Sequence, residues 1–211
     1  MSRRGKGGRI ARDAEKGEFL MRRLLLLLSS VGLLLGSCAP EPSYNGAVID
    51  PPVEMADFTL DADSGPVSLS DLQGKYVALF FGYTHCQDVC PTTMADLNYA
   101  VGDLDDAAGD IQVLFVSVDW KRDTPESASE YAHVFNPAFV GLGGSKDEID
   151  SVTSEYGIYY LFGPPDPEGN YEVEHTTSVL VLDPAGNLVL TWPQGTTAEQ
   201  IKQDMQTLVG G

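Results

Sequence analysis

The sequence predicts an α/β domain built on a central, mostly parallel sheet flanked by helices. Three observations carry this. Residues 76–83 (YVALFFGY) and 111–118 (IQVLFVSV) are continuous apolar runs, the pattern of strands covered on both faces. Helical spacing with recognisable caps follows each run. The order opens on two short strands and then alternates helices with strands, as parallel-core sheets do.

Each element has its own signal. Phe58-Thr59-Leu60 and Val67-Ser68-Leu69 read as short strands around a glycine turn. Residues 76–83 follow as a central strand. Pro91 suits the start of a helix, which Met94, Leu97, Val101 and Leu104 continue at helical spacing. Residues 111–118 form the second buried strand. Thr124-Pro125 opens a helix carrying Tyr131 and Phe135, and Ser145 with Glu148 caps another that ends near Gly157. Residues 179–182 and 188–190 flank Asp183-Pro184-Ala185-Gly186-Asn187, a turn signal, and so form a hairpin. Thr197 with Gln200 caps a last helix that runs to the closing glycines.

Composition narrows the function classes. The chain has 211 residues, 43% hydrophobic, enough for a packed core, so global disorder is excluded. Its net charge of −18 speaks against a nucleic-acid surface, which needs a Lys/Arg stripe. Three cysteines are too few for a disulfide scaffold and odd in number, so one has a separate fate.

The charge is divided unevenly. Residues 1–37 hold eight Lys/Arg against three Asp/Glu, and residues 24–35 are apolar but for two serines and a glycine. Twelve residues are too few to span a bilayer comfortably, which takes about 20. A basic start, a short apolar run and a small-residue exit are the parts of a secretory signal. The exit, Leu35-Gly36-Ser37-Cys38, resembles the bacterial lipobox, which implies lipidation of Cys38 as the new N-terminus; the competing reading is an uncleaved anchor helix. Met21-Arg22-Arg23 is itself an ordinary signal start, so the first 20 residues read as an extension or a misplaced start. The expected organisation is a signal over 1–37, a Pro-rich tether over 38–51 and one domain over 52–211. That domain is expected on the non-cytoplasmic side of a membrane.

Cys86 and Cys90 remain. They sit between the strand at 76–83 and the helix at Pro91, where α/β folds place their sites. A helix N-terminus stabilises a thiolate, the form that attacks disulfides and binds soft metals. Cys-x-x-x-Cys suits chelation of one ion, though a loop-stapling disulfide remains open. Among the histidines, His85 adjoins Cys86 and is expected to point away, His133 reads as an ordinary helix residue, and His175 lies just before an apolar strand.

Three segments then carry a resemblance. Gly82-Tyr83-Thr84-His85-Cys86-Gln87-Asp88-Val89-Cys90-Pro91 resembles the copper-site motif of the Sco/SenC family. Val118-Asp119-Trp120-Lys121-Arg122-Asp123-Thr124-Pro125 resembles its second motif. Tyr171-Glu172-Val173-Glu174-His175-Thr176, followed by Val181-Leu182-Asp183-Pro184-Ala185-Gly186, resembles its third. Gln87, Trp120-Lys121 and Glu174-His175-Thr176 depart from the family's commoner residues without removing a ligand. The resemblance implies a thioredoxin-like (peroxiredoxin-like) fold. It implies one copper ion held by Cys86, Cys90 and His175 with Asp119 nearby, and delivery of copper to the dinuclear site in subunit II of cytochrome c oxidase or to another copper protein. Two thiolates and an imidazole are a soft set suited to copper; zinc, with Asp119 as a fourth ligand, is the lesser alternative. A thiol–disulfide oxidoreductase acting through Cys86 and Cys90 on cysteines of the same oxidase site, or in envelope redox balance, is the second functional reading. A peroxide-handling lipoprotein fits the paired cysteines poorly. The protein is expected to act as a lipid-anchored monomer without nucleic-acid partners.

Overall fold

A computed structural model describes residues 43–210. The signal segment, Cys38 and the first part of the expected tether, through residue 42, lie outside the described residues. No helix among the described residues is long and apolar enough to cross a membrane.

The chain runs β1 (Ala47–Glu54), β2 (Thr59–Ala62), β3 (Gly65–Ser68), β4 (Tyr76–Gly82), α1 (Val89–Gly102), β5 (Ile111–Ser117), α2 (Pro125–Phe135), β6 (Val140–Leu142), α3 (Lys146–Glu155), β7 (Tyr160–Phe162), β8 (Val173–His175), β9 (Val179–Leu182), β10 (Asn187–Trp192) and α4 (Ala198–Val209). Six strands form one sheet in the order β1-β10-β9-β4-β5-β6, while β2-β3 and β7-β8 are separate two-stranded ribbons. The apolar runs behave as their sequence requires. Leu79, Phe80 and Phe81 of β4, and Leu114 and Phe115 of β5, are fully buried, each large side chain contributing about 1.5–3 kcal/mol.

The sheet is mixed rather than mostly parallel. β4, β5 and β6 pair in parallel, but β9 lies antiparallel to β4, as β10 does to β9 and β1 to β10. The Asp183–Asn187 turn enforces the β9–β10 pairing: a tight turn joins only antiparallel strands. The tether also ends earlier than expected. Residues 47–51 belong to β1, where a register shift between Val48 and Val53 accommodates two prolines. An edge strand tolerates proline because half its N–H groups need no partner.

Local signals set the helices. Thr124, Ser145 and Thr197 each accept from the N–H three residues on and complete capping boxes. α1 begins at Val89, two residues before Pro91, whose missing N–H falls in the first turn, where it costs no bond. α1 packs along α4, and α2 crosses β6 and β2. Asp204 of α4 is fully buried. Its carboxylate accepts from Trp192 Nε1 (2.8 Å), the N–H groups of Asn45 (2.7 Å) and Gly46 (2.9 Å), and Asn45 Nδ2 (2.9 Å). This node ties Asn45 and Gly46 to α4 and β10.

Candidate metal centre

β4 ends at Gly82, and the loop to α1 begins with Tyr83. Cys86 N–H donates to Tyr83 O (3.2 Å), folding the loop into a turn that aims Cys86 toward the head of α1. Cys90 lies within the first turn of α1 and is fully buried, and its N–H points at Cys86 Sγ (3.4 Å). Gly82 makes room for it. A Cβ at position 82 would stand 2.9 Å from Cys90 Sγ and 2.8 Å from the Phe115 ring.

The third donor comes from a different element. His175 ends β8 and pairs with Tyr160 of β7. Its Nδ1 lies 2.9 Å from Thr176 O. A carbonyl only accepts, so Nδ1 carries the proton and Nε2 presents a lone pair. Nε2 lies 3.7 Å from Cys90 Sγ. Edge-on rings of Phe80 (6.2 Å) and Tyr83 (5.8 Å) flank the imidazole. The two Sγ atoms and a His175 ring nitrogen all lie within 4.8 Å of one another. Donors bonded to one ion at about 2.0–2.3 Å are roughly 3.5–4.5 Å apart, so the group is shaped for a single ion. Two sulfurs and one imidazole favour a soft cation.

The two thiols are electrostatically unlike. Hydrogen bonding from the Cys90 thiol pulls Cys86 down to about 3; burial opposes this, and the N–H groups of Cys90 and Asp88 assist it. The same bond, with burial, pushes Cys90 up. The reduced pair therefore holds one thiolate, on the half-buried Cys86. It opens on a cleft of about 460 Å³ whose walls carry Asp88, Glu172 and Glu174 and, among the described residues, no Lys or Arg.

Cys86, Cys90 and His175 are thus brought together from the expected set; Asp119 is not among them. The Asp119 carboxylate accepts from Arg122 Nε (2.5 Å) and Tyr171 O–H (2.9 Å), and Arg122 stacks 3.6 Å from the centroid of the Tyr171 ring. The carboxylate that holds the cysteine loop is Asp123. It accepts from Thr84 N–H (2.8 Å), Thr84 O–H (2.6 Å) and Ser117 O–H (2.5 Å). Asp123 lies within the second motif, but spacing alone does not separate it from Asp119. His85 is exposed and turns to Thr84 and Asp123, as expected of a neighbour that points away. His133 is exposed in the last turn of α2.

β7 and β8 are strands without a periodic signal of their own in the sequence. The missed signal is a repeat: Asp166-Pro167-Glu168-Gly169-Asn170 has the spacing of Asp183-Pro184-Ala185-Gly186-Asn187. In both, the aspartate Oδ1 accepts from the N–H groups two and four residues on, and the glycine has φ +89°. The first turn closes the ribbon that carries His175. Tyr83 O–H donates to Glu172, tying the cysteine loop to that ribbon.

Comparison with known proteins agrees with this geometry. The chain is similar to the mitochondrial SCO2 homologue of Bos taurus, 35% identical over 157 residues, which is 73% of this chain and 59% of that protein. It spans about half the length of the curated relatives it matches. Apo Sco1 from Thermus thermophilus superposes with a TM-score of 0.73 at 38% identity, covering 81% of this chain and 99% of that one. Copper-bound ScoI from Bradyrhizobium japonicum gives 0.68 at 32%, covering 74% and 99%. The family profile described as SCO1/SenC matches residues 47–210, the whole of the sheet and its helices, and the chain belongs to that family.

Proposed function

We propose that the protein binds one copper ion through Cys86, Cys90 and His175 and delivers it to the dinuclear copper site in subunit II of cytochrome c oxidase, or to another copper protein. The observation that carries this reading is the convergence of two sulfurs and a lone-pair nitrogen within 4.8 Å. Copper-bound relatives with the same fold support it. Cys86 meets the ion already as a thiolate, and Cys90 gives up its proton as the ion binds. The Nδ1–H bond to Thr176 O keeps His175 Nε2 available. Three donors beside an open cleft leave access for an incoming ligand of the acceptor. The domain is held at a membrane surface through lipidated Cys38, on the non-cytoplasmic side; the basic leader, short apolar run and small-residue exit support this.

Titration of reduced protein with Cu(I) and with Cu(II), wild type against His175→Ala, tests the copper reading. One equivalent is expected to bind, strongly weakened by the substitution. Unchanged binding by His175→Ala, with disulfide exchange abolished in Cys86→Ser, would instead support the oxidoreductase reading. Cys38→Ser is expected to release the protein from membranes; continued retention argues for an uncleaved helix.

A further inference from the structure

We propose that Asp123 is the positioning residue of this centre, acting through Thr84 to hold the cysteine loop where Cys86 meets His175. The inference rests on reading Cys86, Cys90 and His175 as the metal donors. Asp123 is buried, and both its oxygens are engaged. Oδ2 accepts from Thr84 N–H and Ser117 O–H, and Oδ1 from Thr84 O–H. One carboxylate thus grips the end of β5 and the root of the cysteine loop, two residues before Cys86. Its neighbour Arg122 pairs with Asp119 instead, so the Asp123 charge is met by N–H and O–H donors and by the His85 ring at 3.5 Å. Thr84 O–H is committed to Asp123, so its oxygen accepts from His85 Nδ1 (3.0 Å). That turns the His85 ring toward Asp123 rather than into the donor set. Four groups around the loop root therefore take their orientation from one side chain. A carboxylate that fixes ligands without touching the ion commonly governs metal affinity by about ten- to a hundredfold.

Three variants test this: Asp123→Ala, Asp123→Asn and Thr84→Val. Copper affinity is read by competition with a chelator, and the ratio of Cys86 to Cys90 alkylation by iodoacetamide is read on the metal-free reduced protein. Asp123→Ala is expected to lose about tenfold or more in affinity and to lower the alkylation ratio. Asp123→Asn keeps the shape and an acceptor for Thr84 N–H and is expected to restore most of both. Thr84→Val removes the hydroxyl, with its bonds to Asp123 and from His85, but keeps the N–H bond to Asp123 and is expected to fall between them; it carries the test if Asp123→Ala fails to fold. Wild-type values for affinity and alkylation ratio in both Asp123→Ala and Thr84→Val overturn the proposal. If wild type itself binds no copper, the function reading fails, and the alkylation ratio alone decides the role of Asp123.

Discussion

Gly82→Ala puts the geometry of the centre to a quantitative test. The new methyl would stand 2.9 Å from Cys90 Sγ and 2.8 Å from the Phe115 ring, where ordinary contacts begin at 3.4 Å. Phe115 is fully buried and packed against Phe80 and Tyr131, so the ring has little room to retreat. Cys90 must then move by about 0.5 Å or more to reach 3.4 Å. Overpacking of this kind costs about 1–3 kcal/mol, and in a domain of this size each kcal/mol lowers Tm by about 2–4 °C. The fold survives that loss, but the Cys90–His175 spacing of 3.7 Å does not. Urea denaturation and copper competition, run on the same preparation, are expected to show a modest stability loss with a clear fall in affinity. Wild-type affinity together with the stability loss would refute the reasoning, because it would mean that Cys90 is not held against Gly82 in the binding geometry.

Other expected outcomes follow from single contacts. Tyr83→Phe removes the bond to Glu172 but keeps the ring beside His175, so copper binding should weaken while Cys86 alkylation in the metal-free protein stays as in wild type. Cys90→Ala takes away the largest stabiliser of the Cys86 thiolate, so the Cys86 pKa, followed by thiolate absorbance, should rise from about 3; an unchanged midpoint would assign the shift elsewhere. The folded pKa of Cys86 lies below the ordinary thiol value of 9.0, so its contribution to stability is present above that value and is lost as pH falls through about 3. Cys90 is shifted the other way, and its contribution is lost as pH rises past the ordinary thiol range. The unfolded pair therefore carries one more proton than the folded pair between those limits. The stability of the reduced, metal-free protein, measured by urea denaturation, should rise with pH across that window. Asp204→Ala strands the Trp192, Asn45 and Gly46 donors and should cost about 3–5 kcal/mol in urea denaturation, with copper affinity unchanged.

What the sequence made legible was what local chemistry decides. β4 and β5 show as uninterrupted apolar runs, and Ser145, Thr197 and Thr124 announce their helices because a cap is made within four residues. Cys86 and Cys90 could be placed at a strand exit for the same reason. His175 lies 85 positions beyond Cys90 in sequence, and only the family resemblance pointed it at the sulfurs. β7 and β8 escaped because three-residue strands on a half-exposed ribbon show no period. β1 escaped because Asp50-Pro51-Pro52 has the composition of a linker, while its place at a sheet edge is a tertiary fact. The division of roles between Asp119 and Asp123 is equally non-local. Both sit on one turn, and it is Arg122 with Tyr171 that claims the first and Thr84 with Ser117 that claims the second.

The centre is built with unequal rigidity, and that suits the proposed role in copper delivery. Both sulfurs come from a segment continuous with β4, a strand buried from Val77 to Gly82, and are fixed from below by Gly82 and from the side by Asp123. The imidazole comes from a ribbon whose strands pair only with each other among the described residues. That ribbon reaches the domain through side chains: Tyr83 to Glu172, Tyr171 to Asp119, Trp120 Nε1 to Tyr160 (3.2 Å), and Lys121 over Phe162 (3.7 Å to the ring centroid). Neutral side-chain bonds of this sort are each worth about 0.5–1.5 kcal/mol, and bonds to charged groups somewhat more, whereas moving β4 would disrupt the core. A site with two donors anchored in the sheet and one on a tied ribbon keeps its sulfurs in register without depending on the third donor. In such an arrangement the soft pair provides retention, and the imidazole completes the centre at a position the cleft leaves open to an acceptor.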